Sequence, residues 1–187
     1  MRYVSIDIET TGLDPNRCQI IEFAAVVDDL KVQQPLEKLP KLQTYVRHTF
    51  YQGEPYALSI HSALFKKLAS EETIDIVDAE SLMARFFNFL TGPGGFAEPP
   101  AIVVAGKNFA TFDKQFIDKL PGTNLIKFHH RTLDPAMLFT YLTDSEPPSS
   151  KTCLERAGLA GEVAHTALED ALMVVKLLRI GINRLAR

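Results

Sequence analysis

Apolar and polar positions alternate at the start of the chain. Val4, Ile6 and Ile8 fall on one side of an extended segment, and Ser5, Asp7 and Glu9 fall on the other. This period of two predicts a strand over residues 2–9. Thr10-Thr11-Gly12 and Asp14-Pro15-Asn16 end it in a turn. Residues 19–27 form an apolar run broken by one charge, Glu22, which predicts a buried second strand paired with the first as a hairpin. Residues 31–42 are polar and contain proline, as a loop does, and 43–48 predict a third strand.

The period then lengthens. A short helix is expected over 61–69 and a longer one over 78–90, where Leu82, Phe86, Phe89 and Leu90 recur at helical spacing. After the break at Thr91–Gly95, Ala101-Ile102-Val103-Val104-Ala105 reads as a buried strand. A helix over 109–120, a fifth strand within 125–133, and helices over 135–142, 151–157 and 167–185 complete the chain. Three strands, then helices alternating with two more, predict an α/β fold: a mixed five-stranded sheet flanked by helices. No internal repeat or low-complexity tail interrupts it.

Composition narrows the class. A chain of 187 residues fits one domain spanning 1–187, and 46% hydrophobic with 23% charged residues is ordinary for a globular protein. No apolar run has membrane-spanning length, and the N-terminus lacks the apolar core of a signal peptide. Cys18 and Cys153 have neither metal-ligand spacing nor a disulfide framework, so a reducing cytoplasm is expected. A net charge of −3 argues against coating long nucleic acid by charge alone. A nuclease is compatible with it, because bound metals reverse the field of an acidic pocket.

Four acids and one histidine carry the candidate chemistry: Asp7, Glu9, Asp113, Asp170 and His165. Asp7 and Glu9 share a strand face, roughly 6–7 Å apart at their roots, within reach of one metal; a solvent-facing strand edge would read the same way. Asp113 lies on or beside the apolar stripe of Phe109, Phe112, Phe116, Ile117 and Leu120. An unpaired carboxylate there is costly, unless it sits at the stripe edge with Lys114 or Lys119. Thr166 through Glu169 match a capping box. That puts His165 just outside a helix and Asp170 in its first turn, near the positive helix end. A lone histidine before a cap is otherwise a surface residue.

Taken together, Asp7-x-Glu9-Thr10-x-Gly12-Leu13, Asp113 within Asn108–Asp113, and His165-x4-Asp170 resemble the three motifs of the DEDDh 3′–5′ exonucleases. That superfamily includes proofreading exonucleases, oligoribonuclease and RNase T. The resemblance runs from residue 3 to about 175. It implies a ribonuclease H-like fold and release of nucleoside 5′-monophosphates from a single-stranded DNA or RNA 3′ end. By family pattern, Asp7 would bridge two metals, Glu9 and Asp170 would hold the first, and Asp113 would hold the second through water. His165 would be the general base; an unperturbed pKa of about 6.5 suits that task. Oxygen ligands favour Mg²⁺ or Mn²⁺.

Substrate contacts are expected at the Thr10–Gly12 turn, with the Thr10 backbone at the 3′-hydroxyl and Leu13 against the last base. His61 resembles the histidine that precedes a short helix in many members, although Ser62 replaces the usual glycine; a surface histidine is the alternative. Asn108 is either a substrate contact or a helix N-cap, and Phe109 fits the core better than base stacking. A homodimer and a polymerase partner for a proofreading role both stay open. The rival classes are a non-catalytic nucleic-acid-binding module on the same fold and a phosphohydrolase of small molecules.

Overall fold

β1 (Arg2–Thr10) is the strand from which the rest is arranged. In this computed structural model, which describes residues 1–70, 75–159 and 166–186, β1 pairs antiparallel with β2 (Ile20–Asp29), and β2 pairs antiparallel with β3 (Lys41–Arg47). β4 (Ile76–Asp78) adds to β3 in parallel, and on the other side of β1 the two residues of β6 (Val104–Ala105) also run parallel. The sheet order is β4-β3-β2-β1-β6. It is mixed and five-stranded, as the alternation of elements predicts.

The period of two decides which side chains enter which layer. Val4, Ile6 and Ile8 join Phe23, Ala25 and Val27 in the larger core, against Leu82, Met83, Phe86 and Leu90 of α3 (Leu82–Thr91). The odd-numbered face of β1 lies under α6 (Ala167–Leu185), where Tyr3, Ala24 and Val26 meet Ala171, Val174, Val175 and Leu178. Small residues let α6 approach closely: the Ser5 hydroxyl, fully buried, donates to the carbonyl of Ala171 at 2.8 Å. Farther along, Arg179 grips Asp28 through two nitrogens at 2.5 and 3.0 Å, and Tyr3 donates to the same carboxylate at 2.8 Å. Buried charge is tolerated there because every oxygen of Asp28 has a donor.

Several expected elements change length or place. The helix expected over 61–69 is α2 (Ser62–Ser70), and a preceding α1 (Pro55–Ile60) was not foreseen. The helix expected over 109–120 contracts to α4 (Asp113–Ile117). Asn108 is left-handed at φ 58° and Phe112 lies at φ −124°, ψ −78°, so helical geometry cannot begin before Asp113.

The fifth strand of the sheet is Ile76–Asp78, not part of 125–133. In that region the only strand is β7 (Lys127–Phe128). It pairs with β5 (Ala101–Ile102) in a separate two-stranded sheet, while Leu133 bridges singly to Ala105. The helix expected over 135–142 is a 3₁₀ turn at Pro135–Phe139, opened by the Asp134 side chain, which accepts from Ala136. α5 spans Ser150–Ala157 and stops at Gly158, left-handed at φ 76°. Among the described residues no helix is long and apolar enough to cross a membrane.

Candidate active site

The C-terminal half of β1 and the first turn of α6 meet at one place. Asp7 and Glu9 project from the α6 face of the strand, and Asp170 projects from the helix that covers it. One ligand oxygen from each lies within 4.8 Å of the other two. The helix start holds Asp170 in position: Thr166 accepts from the Glu169 amide at 3.4 Å and donates to its carboxylate at 2.6 Å, and the Asp170 amide donates to the Thr166 carbonyl. His165 lies outside the described residues.

Asp113 arrives from another direction. The β1–β6 ladder registers only Val4 and Ser5, so the amide of Ile8, farther along β1, donates at 3.2 Å to Asp113 Oδ1 instead of to a strand. Asp113 is buried and stands at the N-terminal end of α4. The alternatives of a solvated stripe edge or a lysine partner do not describe it; Lys114 pairs with Asp118.

The electrostatics follow from crowding. Burial pushes the Asp7 carboxyl well above the ordinary carboxylate range, and the charges of Asp113, Asp170, Glu9 and Glu22 push it further. Burial, then Asp170, Glu22 and Asp113, raises Glu9 to about 8. Burial raises Asp113 to about 7 against the opposing hydrogen bonds from its own amide and that of Ile8. Oxygen ligands that repel one another in a partly buried site fit a hard divalent cation, which supplies the missing positive charge. Asp7, Glu9 and Asp170 could therefore hold one, with Asp113 beside them.

A second layer of contacts shapes the entrance. Thr10 and Thr11 are buried; the Thr10 hydroxyl donates to the Gly12 carbonyl at 2.8 Å, and that of Thr11 to the Gln52 carbonyl at 2.6 Å. The Thr11 carbonyl accepts from the Glu54 amide at 2.7 Å, while the Glu54 carboxylate accepts from the Leu13 amide at 3.2 Å. The turn is thus stitched to the segment before α1. A Cβ on Gly53 would collide with the Thr11 backbone, and one on Gly12 would stand 2.6 Å from Cys18 Sγ. Leu13 is left 72% exposed, with Tyr56 and Ile60 of α1 also exposed.

His61 ends α1 and is buried, so the surface alternative is wrong: its Nε2 lies 3.3 Å from Glu9 Oε2. Asn108 does not cap α4 with its side chain. Its amide donates to Asp134 at 2.9 Å, and its carbonyl accepts from Thr111 and Phe112. Phe109 is in the core beside Phe128. Sequence reasoning missed Glu54, whose role needs the fold, and gave no role to Glu22, whose lone charge in an apolar run was the available signal.

The sequence and the fold match those of exonucleases. The exonuclease family profile, RNase_T, covers residues 4–178, and the chain belongs to that family. Human mitochondrial oligoribonuclease is 26% identical over 98% of this chain and 73% of its own length. The oligoribonuclease of Actinobacillus succinogenes is 29% identical over 91% of this chain and 87% of its own. Among solved structures, E. coli exonuclease I in a zinc-bound complex with single-stranded DNA has a TM-score of 0.68 at 17% identity, covering 100% of this chain and 41% of that one. Cell-death related nuclease 4 has a TM-score of 0.67 at 16% identity, over 98% and 64%. The chain thus spans about two fifths of exonuclease I.

Proposed function

We propose that this protein is a 3′–5′ exonuclease that removes nucleoside 5′-monophosphates from short single-stranded RNA by a two-metal reaction. The observation that carries the proposal is the convergence of Asp7, Glu9 and Asp170 at the end of β1, with Asp113 beside them. These four carboxylates would hold two divalent cations, Mg²⁺ or Mn²⁺. When bound, the cations supply Lewis-acid stabilisation at the phosphate and a more acidic attacking water.

The remaining work falls to the chain's own side chains. His165, just before the capped helix, takes the proton of the attacking water. Water oxygen bonds to phosphorus, the bond from phosphorus to the 3′-oxygen breaks, and that oxygen leaves with a proton. The Thr10–Leu13 turn, fixed by Glu54 and Gln52, seats the terminal nucleotide, and exposed Leu13 offers an apolar surface to its base. His61 lies against Glu9 and so borders the same cleft. Asn108, left-handed and exposed five residues before Asp113, is a further candidate for substrate contact. Short RNA is favoured because relatives aligned over nearly the whole chain bear the name oligoribonuclease.

The test is cleavage of 5′-labelled single-stranded RNA and DNA, short and long, with Mg²⁺, Mn²⁺ or EDTA. A metal-dependent ladder shortening from the 3′ end, fastest on short RNA, is expected. No cleavage of any substrate with either metal would refute the activity; faster trimming of long DNA would refute the substrate.

A further inference from the structure

A short backbone ladder follows β6. The Leu133 amide donates to the Val104 carbonyl at 2.9 Å, and the Gly106 amide donates to the Leu133 carbonyl at 3.0 Å. The next amide in that series, of Asn108, donates at 2.9 Å to Asp134 Oδ2, so a side chain continues what the backbone began. The other oxygen, Oδ1, accepts from the Ala136 amide at 2.8 Å. One half-buried carboxylate thus spans two backbone segments, with an oxygen for each.

Each segment leads to one side of the candidate site. Asn108 is left-handed at φ 58°, a conformation uncommon outside glycine. Its carbonyl accepts from the amides of Thr111 and Phe112, both at 3.0 Å, and that turn delivers the chain to Asp113. The loop begins pressed against β1, since a Cβ on Gly106 would stand 2.9 Å from the Ile6 carbonyl. Ala136 belongs to the turn at Pro135–Phe139, which packs on α6. Ala136 and Phe139 share an apolar cluster with Met173 and Leu177, and a Cβ on Gly181 would stand 2.7 Å from Leu138. Asp170 sits at the start of that same helix. Asp134 therefore joins the loop that delivers Asp113 to the support of the helix that carries Asp170.

We propose that Asp134 is a positioning residue: by holding the amides of Asn108 and Ala136 together, it fixes Asp113 relative to Asp170 and so sets the affinity of the site for divalent cations. The inference rests on the metal site in the proposed function. Both donors are backbone amides, fixed in direction. An asparagine side chain offers one acceptor oxygen and one NH₂ group. In Asp134→Asn, whichever way the side chain is turned, one of the two amides therefore faces another donor. Asp134→Ser keeps a good cap for the Pro135 turn but has a single oxygen, so the link to Asn108 is lost.

The experiment measures Mn²⁺ binding by calorimetry, and amide exchange at Ile8, Asn108 and Ala136 by NMR in the metal-free protein. In both variants Mn²⁺ affinity falls about tenfold. Asn108 or Ala136 exchanges faster, and so does Ile8, whose amide donates to Asp113 and reads its place. Arg179→Met, which releases Asp28 away from this link, lowers the thermal midpoint but keeps the affinity. An equal loss of affinity in Arg179→Met overturns the proposal, because instability alone then explains it. Unchanged affinity in a folded Asp134 variant overturns it too. So does weaker affinity with unchanged Ile8 exchange, since lost charge and not a displaced Asp113 is then the cause. Failure of both Asp134 variants to fold also overturns it, because the carboxylate then supports the fold at large. A parent that binds no Mn²⁺ removes the metal site, and the affinity claim with it; the other outcomes all require a parent that binds.

Discussion

Raising the pH of the metal-free protein should destabilise it. Glu9 titrates at about 8 in the folded chain against an ordinary 4.5. Between those values the folded state holds more protons than the unfolded state, so stability falls as pH rises through the window, and the Glu9 contribution is fully lost above about 8. For Glu9 alone the loss is about 5 kcal/mol. Asp113, at about 7 against 3.8, acts in the same direction at the lower end. Because these carboxyls repel one another, the losses do not add.

For a chain of this length each kcal/mol moves the thermal midpoint by about 2–4 °C. The Glu9 contribution thus predicts a drop of roughly 10–20 °C between about pH 5 and about pH 8.5 in EDTA. Asp144, held down to about 2 by Arg156, is ionised throughout that range and does not mask the slope. Mn²⁺ should reverse the trend, stabilising more at high pH, because binding needs deprotonated ligands. Differential scanning calorimetry over this range provides the readout. A flat midpoint in EDTA would refute the reasoning, as would a Glu9→Gln variant with the parent's slope.

Three further outcomes are expected. Asp7→Ala or Asp170→Ala should nearly abolish cleavage while leaving far-ultraviolet circular dichroism unchanged; retained activity in either removes that residue from the metal site. His165→Ala should lower kcat by about 10²–10⁴-fold with little change in KM, and the acid limb of the pH–rate profile should shift or vanish. Arg179→Met should cost about 3–5 kcal/mol by stranding Asp28 in the core, seen as a lower thermal midpoint with kcat unchanged at permissive temperature.

Local pattern carried much of this architecture. β1 and β2 announce themselves because one face of a half-buried strand and both faces of a buried strand leave distinct patterns, and α6 because its capping box marks its start. The fifth strand escaped because Ile76–Asp78 is only three residues long and owes its conformation to β3. Apolar spacing over 109–120 overstates the helix because it does not reveal a left-handed Asn108. At the site, the strand carboxylates were legible from spacing. The burial of Asp113 was legible from the apolar stripe around it, but its bond to the Ile8 amide depends on where β6 stops, and the contact of His61 with Glu9 depends on α1. Neither has a local signature.

The hydrogen bond from Ser5 to the Ala171 carbonyl has a meaning beyond packing. It marks a close contact in which the small volume of Ser5 and Ala171 sets the gap between two parts of the candidate site, built from distant stretches of chain. A larger side chain at position 5 or 171 would lift α6 like a shim under a plate, and the carboxylate at its near end would rise with it. Such positions carry no chemistry, yet tolerance to substitution there should follow volume, not polarity. Alanine at position 5 should be accepted and valine refused, in a fully buried part of the molecule.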